Sequence, residues 1–399
     1  MTATNTQHPA APDRLKILIC LLYYFPHRTG LTIHVQRVAE ELVRRGHDVT
    51  VLTARYSDQL PRDDTTMHEG VRVVRLWAPI RLSRGMIMPA YPWAAFKLMW
   101  QHDIVSVHTP MLETALVAFL SLITGTNVIA THHGDLILPN GLINRLIQRS
   151  MFLMYRMLAN RASRLLAYSQ DYAEHSYYLR PYLHKVSVVY PPIRMPAPDP
   201  QVVAQLRARW SQQDGPVIGF AGRFVEEKRP DLAIRALDVV NQKYPNARLI
   251  FAGEYDIPYE NTWEHHRALV ERYQEQIEFL GLLTETQDMA NFFAACDVLV
   301  LPSDTECFAL VQVEAMLSGT PVVMTNIPGG RVPVQETGMG LLATQGDAQS
   351  IGEALVKILD DTAQYHKTRE QIAEVFSFQE TVDRYEQHFR QNAKKSRRP

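Results

Sequence analysis

Short runs of β-branched and aliphatic residues alternate with longer amphipathic stretches along almost the whole of this 399-residue chain, and that alternation is its strongest constraint. A strand that is apolar on both faces must be covered on both, and the covering segments are the intervening helices, which makes the sheet parallel. In the first half the expected strands are KILICLL from Lys16, DVTVLT from Asp48, VRVVRL from Val71, DIVSVH from Asp103, NVIATH from Asn127, RLLAYS from Arg164 and VSVVY from Val186. Between the first two, 32–45 carries Val35, Val38, Ala39, Leu42 and Val43 at helical spacing and stops at Gly46. The segment YPPIRMPAPDP, 190–200, holds five prolines and can neither continue a helix nor sit inside a sheet. Beyond it the alternation restarts with PVIGFAG from Pro216, a helix predicted over 230–244, RLIFAG from Arg248, IEFLG from Ile277, DVLVLPS from Asp297 and PVVMTN from Pro321.

The fold class expected is therefore α/β, with two doubly wound Rossmann-like domains, because a chain this long exceeds one ordinary core. The expected order is a disordered leader over 1–14, one domain over 15–192, a proline-rich linker over 193–200, a second domain over 201–375, a helix over 376–391 and a basic tail over 392–399. With 41 Lys+Arg against 42 Asp+Glu there is no global attraction for a polyanion, so nucleic acid is not an expected partner. Cys20, Cys296 and Cys307 have neither CxxC nor metal-ligand spacing, which points to reduced thiols in the cytoplasm. The leader lacks the basic and apolar regions of a signal peptide. The most apolar stretch, 112–123, contains Glu113 and is far shorter than the roughly 20 residues a spanning helix needs. Asp63-Asp64 reads as a surface turn, and no metal is expected.

Two constellations carry chemistry. Gly222-Arg223-Phe224-Val225-Glu226-Glu227-Lys228-Arg229-Pro230 joins the end of a strand to the start of a helix. Open α/β sheets bind anions there, because free N–H groups and the helix dipole point outward. Arg223 supplies a planar fork and Lys228 a compact cation, a pair suited to a pyrophosphate and to the charge that grows on it as it leaves. The same spacing also fits a solvated loop with ordinary surface cations. The second constellation runs from Glu306 to Pro321, with Phe308, Val311, Ala315 and Leu317 or Ser318 at helical spacing and Gly319 as the stop. Glu306 is expected at the sheet's carboxyl edge and Glu314 two turns into the helix, so that both carboxylates face one ligand with vicinal hydroxyls. The plainer alternative is one acid favoured by the helix dipole and one exposed acid.

Gly-Arg followed five residues on by Lys, then Glu-x7-Glu opening a helix that ends in GTPVV, resembles the retaining glycosyltransferases of the GT-B fold, group 1 or family 4, over about Leu15 to Phe389. The resemblance implies two domains facing across a cleft, the first on the acceptor side and the second binding the nucleotide sugar, with the C-terminal helix crossing back to the first. It implies Arg223 and Lys228 on the donor diphosphate, Glu306 beside the donor sugar and Glu314 on the ribose hydroxyls. Gly222 and the backbone of Cys307, Phe308, Ala309 and Leu310 would line the donor, with Leu280 of IEFLG beside the nucleobase. His133 in Thr131-His132-His133-Gly134-Asp135 corresponds to a histidine that orients the donor sugar, and His108 and Asp135 are further candidates. Gly30 lies in a loop that resembles the family's acceptor and phosphate loop, with one glycine where paired glycines are usual. Tyr190-Pro191-Pro192-Ile193 stands where many members carry an Asn-Gly turn, a change at a hinge.

The implied reaction moves a glycosyl group from a nucleoside diphosphate sugar to a hydroxyl of a glycan or glycolipid acceptor, with retention and without a bound cofactor or metal. No GxGxxG follows the first strand and no Walker A sequence is present, which argues against dinucleotide oxidoreductases and P-loop NTPases. A phosphorylase, a sugar-nucleotide epimerase or a non-catalytic sugar-nucleotide-binding protein of the same architecture stays open. The predicted helix over 142–159 carries Arg145, Arg149 and Arg156 on one stripe, with Leu146, Ile147, Met151, Met154 and Leu158 around it. With the apolar segment that follows Ile80, it reads either as peripheral contact with the inner face of a membrane or as a core helix with a solvated basic edge.

Overall fold

The computed structural model describes residues 14–60, 65–82, 85–136, 141–211, 214–257 and 261–394. Residues 1–13 of the leader, Asp63-Asp64 and residues 395–399 of the basic tail lie outside them. The chain forms two compact units, one holding the chain up to Ala167, Ser176–Val189 and the chain from Val382, the other Tyr168–His175 and Tyr190–Thr381.

In the first unit the strands are β1 (Lys16–Cys20), β2 (Asp48–Arg55), β3 (Thr65–His68), β4 (Val71–Trp77), β5 (Ile80–Leu82), β6 (Gly85–Ile87), β7 (Ile104–Thr109), β8 (Asn127–His132), β9 (Arg164–Ala167) and β10 (Val186–Val188). Eight of them form one sheet in the order β10-β9-β8-β7-β1-β2-β4-β3, and β5 and β6 pair separately. All neighbours in the large sheet are parallel except β3, which runs antiparallel to β4. Since β1 lies between β2 and β7, the chain winds outward from it in both directions. A right-handed crossover then puts helix Gly30–Arg44, which leads to β2, on the opposite face from helices Thr114–Thr124 and Leu142–Arg161, which lead to β8 and β9. The C-terminal helix runs Phe378–Asn392 and belongs to this unit from Val382 on. There Arg45 donates to Asp383 and Glu386, and Asn127 Nδ2 donates to Asn392 O at 2.9 Å.

The second unit contains β11 (Val217–Ala221), β12 (Arg248–Ala252), β13 (Ile277–Gly281), β14 (Val298–Leu301), β15 (Val322–Thr325) and β16 (Gly340–Ala343). They form one all-parallel sheet in the order β13-β12-β11-β14-β15-β16. Alternate residues of each strand feed two separate cores: Val217, Ala221, Ile250, Leu299 and Met324 enter one, Ile218, Phe220, Leu249, Val298 and Val323 the other. Burial on both faces is why these strands read as unbroken apolar runs.

Each expected strand forms, and four more appear. β3 is a polar edge, β5 and β6 are three residues each, and β16 is a short GLLA, so none offers a strong pattern. The helix predicted over 230–244 is instead two short pieces, Pro230–Arg235 and Leu237–Val240. The proline-rich stretch read as a linker packs into the second unit, with Ile193 and Met195 buried in its core and Asp199 capping helix Pro200–Trp210. Tyr168–His175, inside the span read as N-terminal, also groups with the second unit. The reason is Asp171, whose carboxylate takes both arms of the Arg331 guanidinium and the N–H of Gly329.

Candidate functional site

β11 and β14 are neighbours, so the loops that follow them begin side by side although far apart in sequence. Two ties hold those loops together. The Asp304 N–H donates to Glu227 O at 2.9 Å, and Arg229 forks onto Asp231 at 3.0 and 3.1 Å while reaching Asp304 at 3.3 Å. Between these ties Lys228 Nζ donates to Glu306 Oε1, which also accepts from Ser303 Oγ at 3.0 Å. The Lys228 side chain is 24% exposed and that of Glu306 11%. Burial opposes charge on the ammonium, but Glu306 foremost, with Glu227 and Cys307, outweighs it and holds the Lys228 pKa above the ordinary lysine value. An ammonium carries three N–H donors, so Lys228 can keep Glu306 and still donate to an anionic ligand.

Close backbone contact shapes both loops. Gly222 N donates to Ala252 O at 2.9 Å, and a Cβ on Gly253 would stand 2.0 Å from Gly222 O. Glu306 bridges to Gly329, whose φ is +77° and whose added Cβ would lie 2.5 Å from Cys307 O and 2.8 Å from Glu306 O. Only glycine permits that approach. The Gly329 N–H in turn donates to Asp171 Oδ2 at 2.8 Å. Burial works against the Asp171 charge, but Arg331 and that N–H prevail and lower its pKa. The sequence reading missed this clamp. Its signal is Ile327-Pro328-Gly329-Gly330-Arg331, two adjacent glycines between a strand and a helix.

Several expected positions need correction. Glu306 does not open a helix: Ala309 stands at φ +55° and the helix is Leu310–Leu317, so Phe308 precedes it. Glu314 is then the fifth helical residue, a little over one turn in rather than two, and half-buried. Lys228 ends a 3-10 turn, Arg229 follows at φ +49°, and the next helix has six residues. So short a helix contributes little dipole, and the case for an anion there rests on side chains. Arg223 Nη2 donates to Glu227 Oε1 at 3.3 Å, with its side chain 37% exposed. Phe308 and Ala309 are buried and Leu310 opens the helix, while Leu280 is half-buried in β13. Burial and the Glu306 carboxylate push the Cys307 thiol up to about 12, which removes it as a nucleophile. An aromatic group unforeseen in sequence lies at the edge of β12 and β13: Phe251 stacks on Phe279 at 4.9 Å, and Tyr255 lies 5.0 Å from both Phe279 and Trp263.

In the first unit β7 and β8 bring a second group of residues together. His133 Nε2 lies 2.8 Å from His108 Nδ1, and His108 Nε2 lies 3.1 Å from Ser106 Oγ. The His34 ring stands edge-on to His133 at 5.0 Å, with its Nε2 2.8 Å from Tyr385 OH. Burial holds His34 and His133 well below the ordinary histidine value and His108 at about 3. At neutral pH these rings are uncharged, suited to hydrogen bonding rather than acid chemistry. Asp135 is committed to His132 at 2.9 Å, Ser176 Oγ at 2.8 Å and Tyr177 N at 2.8 Å. Gly30 is the first residue of helix Gly30–Arg44, whose N-terminus is closed by a reciprocal Thr29–Thr32 capping box. Among the described residues no group of three or more His, Cys, Asp or Glu could hold a metal ion, and no helix is long and apolar enough to cross a membrane.

Comparison with known proteins fits both units. The family described as "Glycosyl transferases group 1" matches residues 204–375, and "Glycosyl transferase 4-like domain" matches 29–192. The chain is 26% identical over 362 residues to a glycogen synthase of Mycobacterium tuberculosis, covering 84% of this chain and 83% of that one. It is 33% identical over 155 residues to a D-inositol 3-phosphate glycosyltransferase of Corynebacterium urealyticum, 37% of this chain and 36% of that protein. The crystal structure of Anabaena Alr3699/HepE in complex with UDP and glucose superposes with a TM-score of 0.75 at 18% identity, covering 95% of this chain and 100% of that one, a likeness of GT-B fold.

Proposed function

The chain belongs to the group 1 glycosyltransferases, and from that premise we propose that it transfers a sugar from a nucleoside diphosphate donor to an acceptor hydroxyl with retention at the anomeric carbon. The observation that carries this reading is the Lys228–Glu306 pair at the carboxyl edge of β11 and β14. A cation and a carboxylate held in contact suit the two ends of a sugar diphosphate, phosphate oxygens on one and sugar hydroxyls on the other. Arg223 adds a second cation to the diphosphate, Gly222 and the backbone of Cys307 to Leu310 line the donor, Glu314 takes ribose hydroxyls and Leu280 lies beside the base.

In the reaction the bond from the anomeric carbon to the diphosphate oxygen breaks as the acceptor oxygen bonds that carbon from the same face. The acceptor proton passes to the departing diphosphate oxygen. Lys228 and Arg223 stabilise the charge that accumulates there, so the proposed chemistry needs no metal. In the first unit, which we assign to the acceptor, His133 is neutral and orients a hydroxyl rather than moving a proton, and Gly30 belongs to the acceptor loop. The Anabaena complex with UDP and glucose supports a nucleotide-sugar donor, while the two relatives are named for different compounds, glycogen and D-inositol 3-phosphate. Three unpaired thiols fit a cytoplasmic location.

The test is a thermal-shift panel of UDP-, GDP- and ADP-sugars, followed by turnover with each stabilising donor and NMR of the product's anomeric configuration. One donor stabilising the protein, with turnover and retention, is expected. Inversion would overturn the mechanism, and binding without turnover on any glycan, glycolipid or inositol acceptor would favour a non-catalytic binder.

A further inference from the structure

Helices Tyr91–Gln101, Thr114–Thr124 and Leu142–Arg161 lie side by side in the first unit, the middle one packing against both others. Their inner residues are spent on the core: Ala95, Leu98 and Met99, then Val117, Ala118 and Leu120, then Met151, Tyr155 and Leu158 are buried. Their outer residues are large and apolar as well. On the first helix Trp93, 73% exposed, and Trp100 flank half-buried Phe96 at one stripe's spacing, each ring lying near Phe96. On the second, Phe119, Leu122 and Ile123 stand in solvent, with Leu122 67% exposed. On the third, Leu142, Leu146, Leu153 and Met157 recur along one side, with Leu146 69% exposed. Isolated exposed leucines need no explanation, but three adjacent helices exposing such stripes do.

The charge on this surface has one sign. None of the three helices contains Asp or Glu, whereas Lys97, Arg145, Arg149 and Arg156 are exposed on them. These four have no ion-pair partner among the described residues. The whole chain carries 41 Lys+Arg against 42 Asp+Glu, so the cations of this face are not part of a chain-wide excess. A second copy of the chain is a poor occupant, because a two-fold interface would set arginine against arginine with no acid to separate them. Tryptophan beside leucine and arginine is instead the composition that settles at a headgroup boundary, rings and aliphatic chains inward and guanidinium groups on phosphates. We propose that these three helices form a docking surface for an anionic lipid bilayer, which the protein binds peripherally.

The full chain is tested by flotation with phosphatidylcholine vesicles, with and without phosphatidylglycerol, in the absence of any sugar donor, so that the outcome is independent of the transfer reaction. Flotation with the anionic vesicles only, weakening as salt rises, is expected. Replacing three cations near an anionic surface costs roughly fivefold each, so the triple variant Arg145→Gln, Arg149→Gln, Arg156→Gln should partition about a hundredfold less. The double variant Leu146→Ser, Leu153→Ser should lose the binding that survives high salt. All of these side chains are exposed, and circular dichroism checks that each variant folds. The proposal is overturned if the wild type stays below the anionic vesicles, if the triple variant floats with them as well as the wild type, or if sedimentation shows copies associating through this face.

Discussion

Lys228→Ala should damage the protein in two separable ways. Removing the ammonium leaves the Glu306 carboxylate, 11% exposed, with only Ser303 Oγ, among the described residues, as a hydrogen-bond donor from a side chain. Orphaning one member of a buried charge pair costs about 3–5 kcal/mol, and because Lys228 itself is 24% exposed, water recovers part of that, leaving about 2–3 kcal/mol. For a unit of this size each kcal/mol moves the melting temperature by about 2–4 °C, so a fall of about 5–10 °C is expected. Adding Glu306→Gln to the same protein removes the stranded charge while keeping an oxygen for Ser303, and most of the lost stability should return. Transfer should not return, because the donor of charge-assisted hydrogen bonds to the departing diphosphate is still missing, a loss of about 10²–10³ in turnover. Thermal unfolding by circular dichroism and initial rates on the two single variants and the double variant measure both effects. The reasoning is refuted if the double variant is no more stable than Lys228→Ala, or if it recovers activity along with stability.

The histidine group in the first unit gives a pH prediction. His34, His108 and His133 are bases with lowered folded pKa values, so all are neutral in both states above about pH 6.5 and contribute no slope there. Below that the unfolded chain takes up protons the folded one refuses, and stability should fall by up to about 1.4 kcal/mol per pH unit for each ring. His108, held at about 3, does so from about pH 6.5 down to that value, and His108→Asn should reduce the slope of urea-unfolding free energy between pH 6 and 4 by about one proton; an unchanged slope would contradict the burial argument. Gly329→Ala forces a side chain into φ +77° and to within 2.5 Å of Cys307 O, so a loss of about 2–4 kcal/mol and weaker donor binding are expected. A melting temperature equal to wild type would show that the Gly329 loop does not brace Glu306.

Much of the architecture was legible because it follows from local, periodic burial. Runs such as Ile17-Leu18-Ile19 and Val298-Leu299-Val300-Leu301 are apolar at every position because two helical layers cover each strand, and nothing distant is needed to see it. β3 and β16 were not legible, since four residues without a strong pattern become strands only when a neighbour offers a ladder. Glu306 was placed at the sheet edge correctly but on a helix wrongly, because the helical spacing from Phe308 continues into the true helix while the backbone turns left-handed at Ala309.

By itself, then, the chain's order of residues determined two parallel sheets, a strand-to-loop cation pair and a carboxylate after a later strand, all of which are properties of segments shorter than one element and its turn. What only the tertiary structure decided is which of those segments meet. Lys228 contacts Glu306 because β11 lies between β12 and β14, an order that sequence position does not dictate. Asp171 leaves the half of the chain in which it is written to hold Arg331 and Gly329 in the second unit. His34, His108 and Tyr385 converge from three elements, and His133 from the turn after β8, into one group of touching rings. Each of these contacts is set by strand order and by the desolvation of charges and rings that no local pattern records.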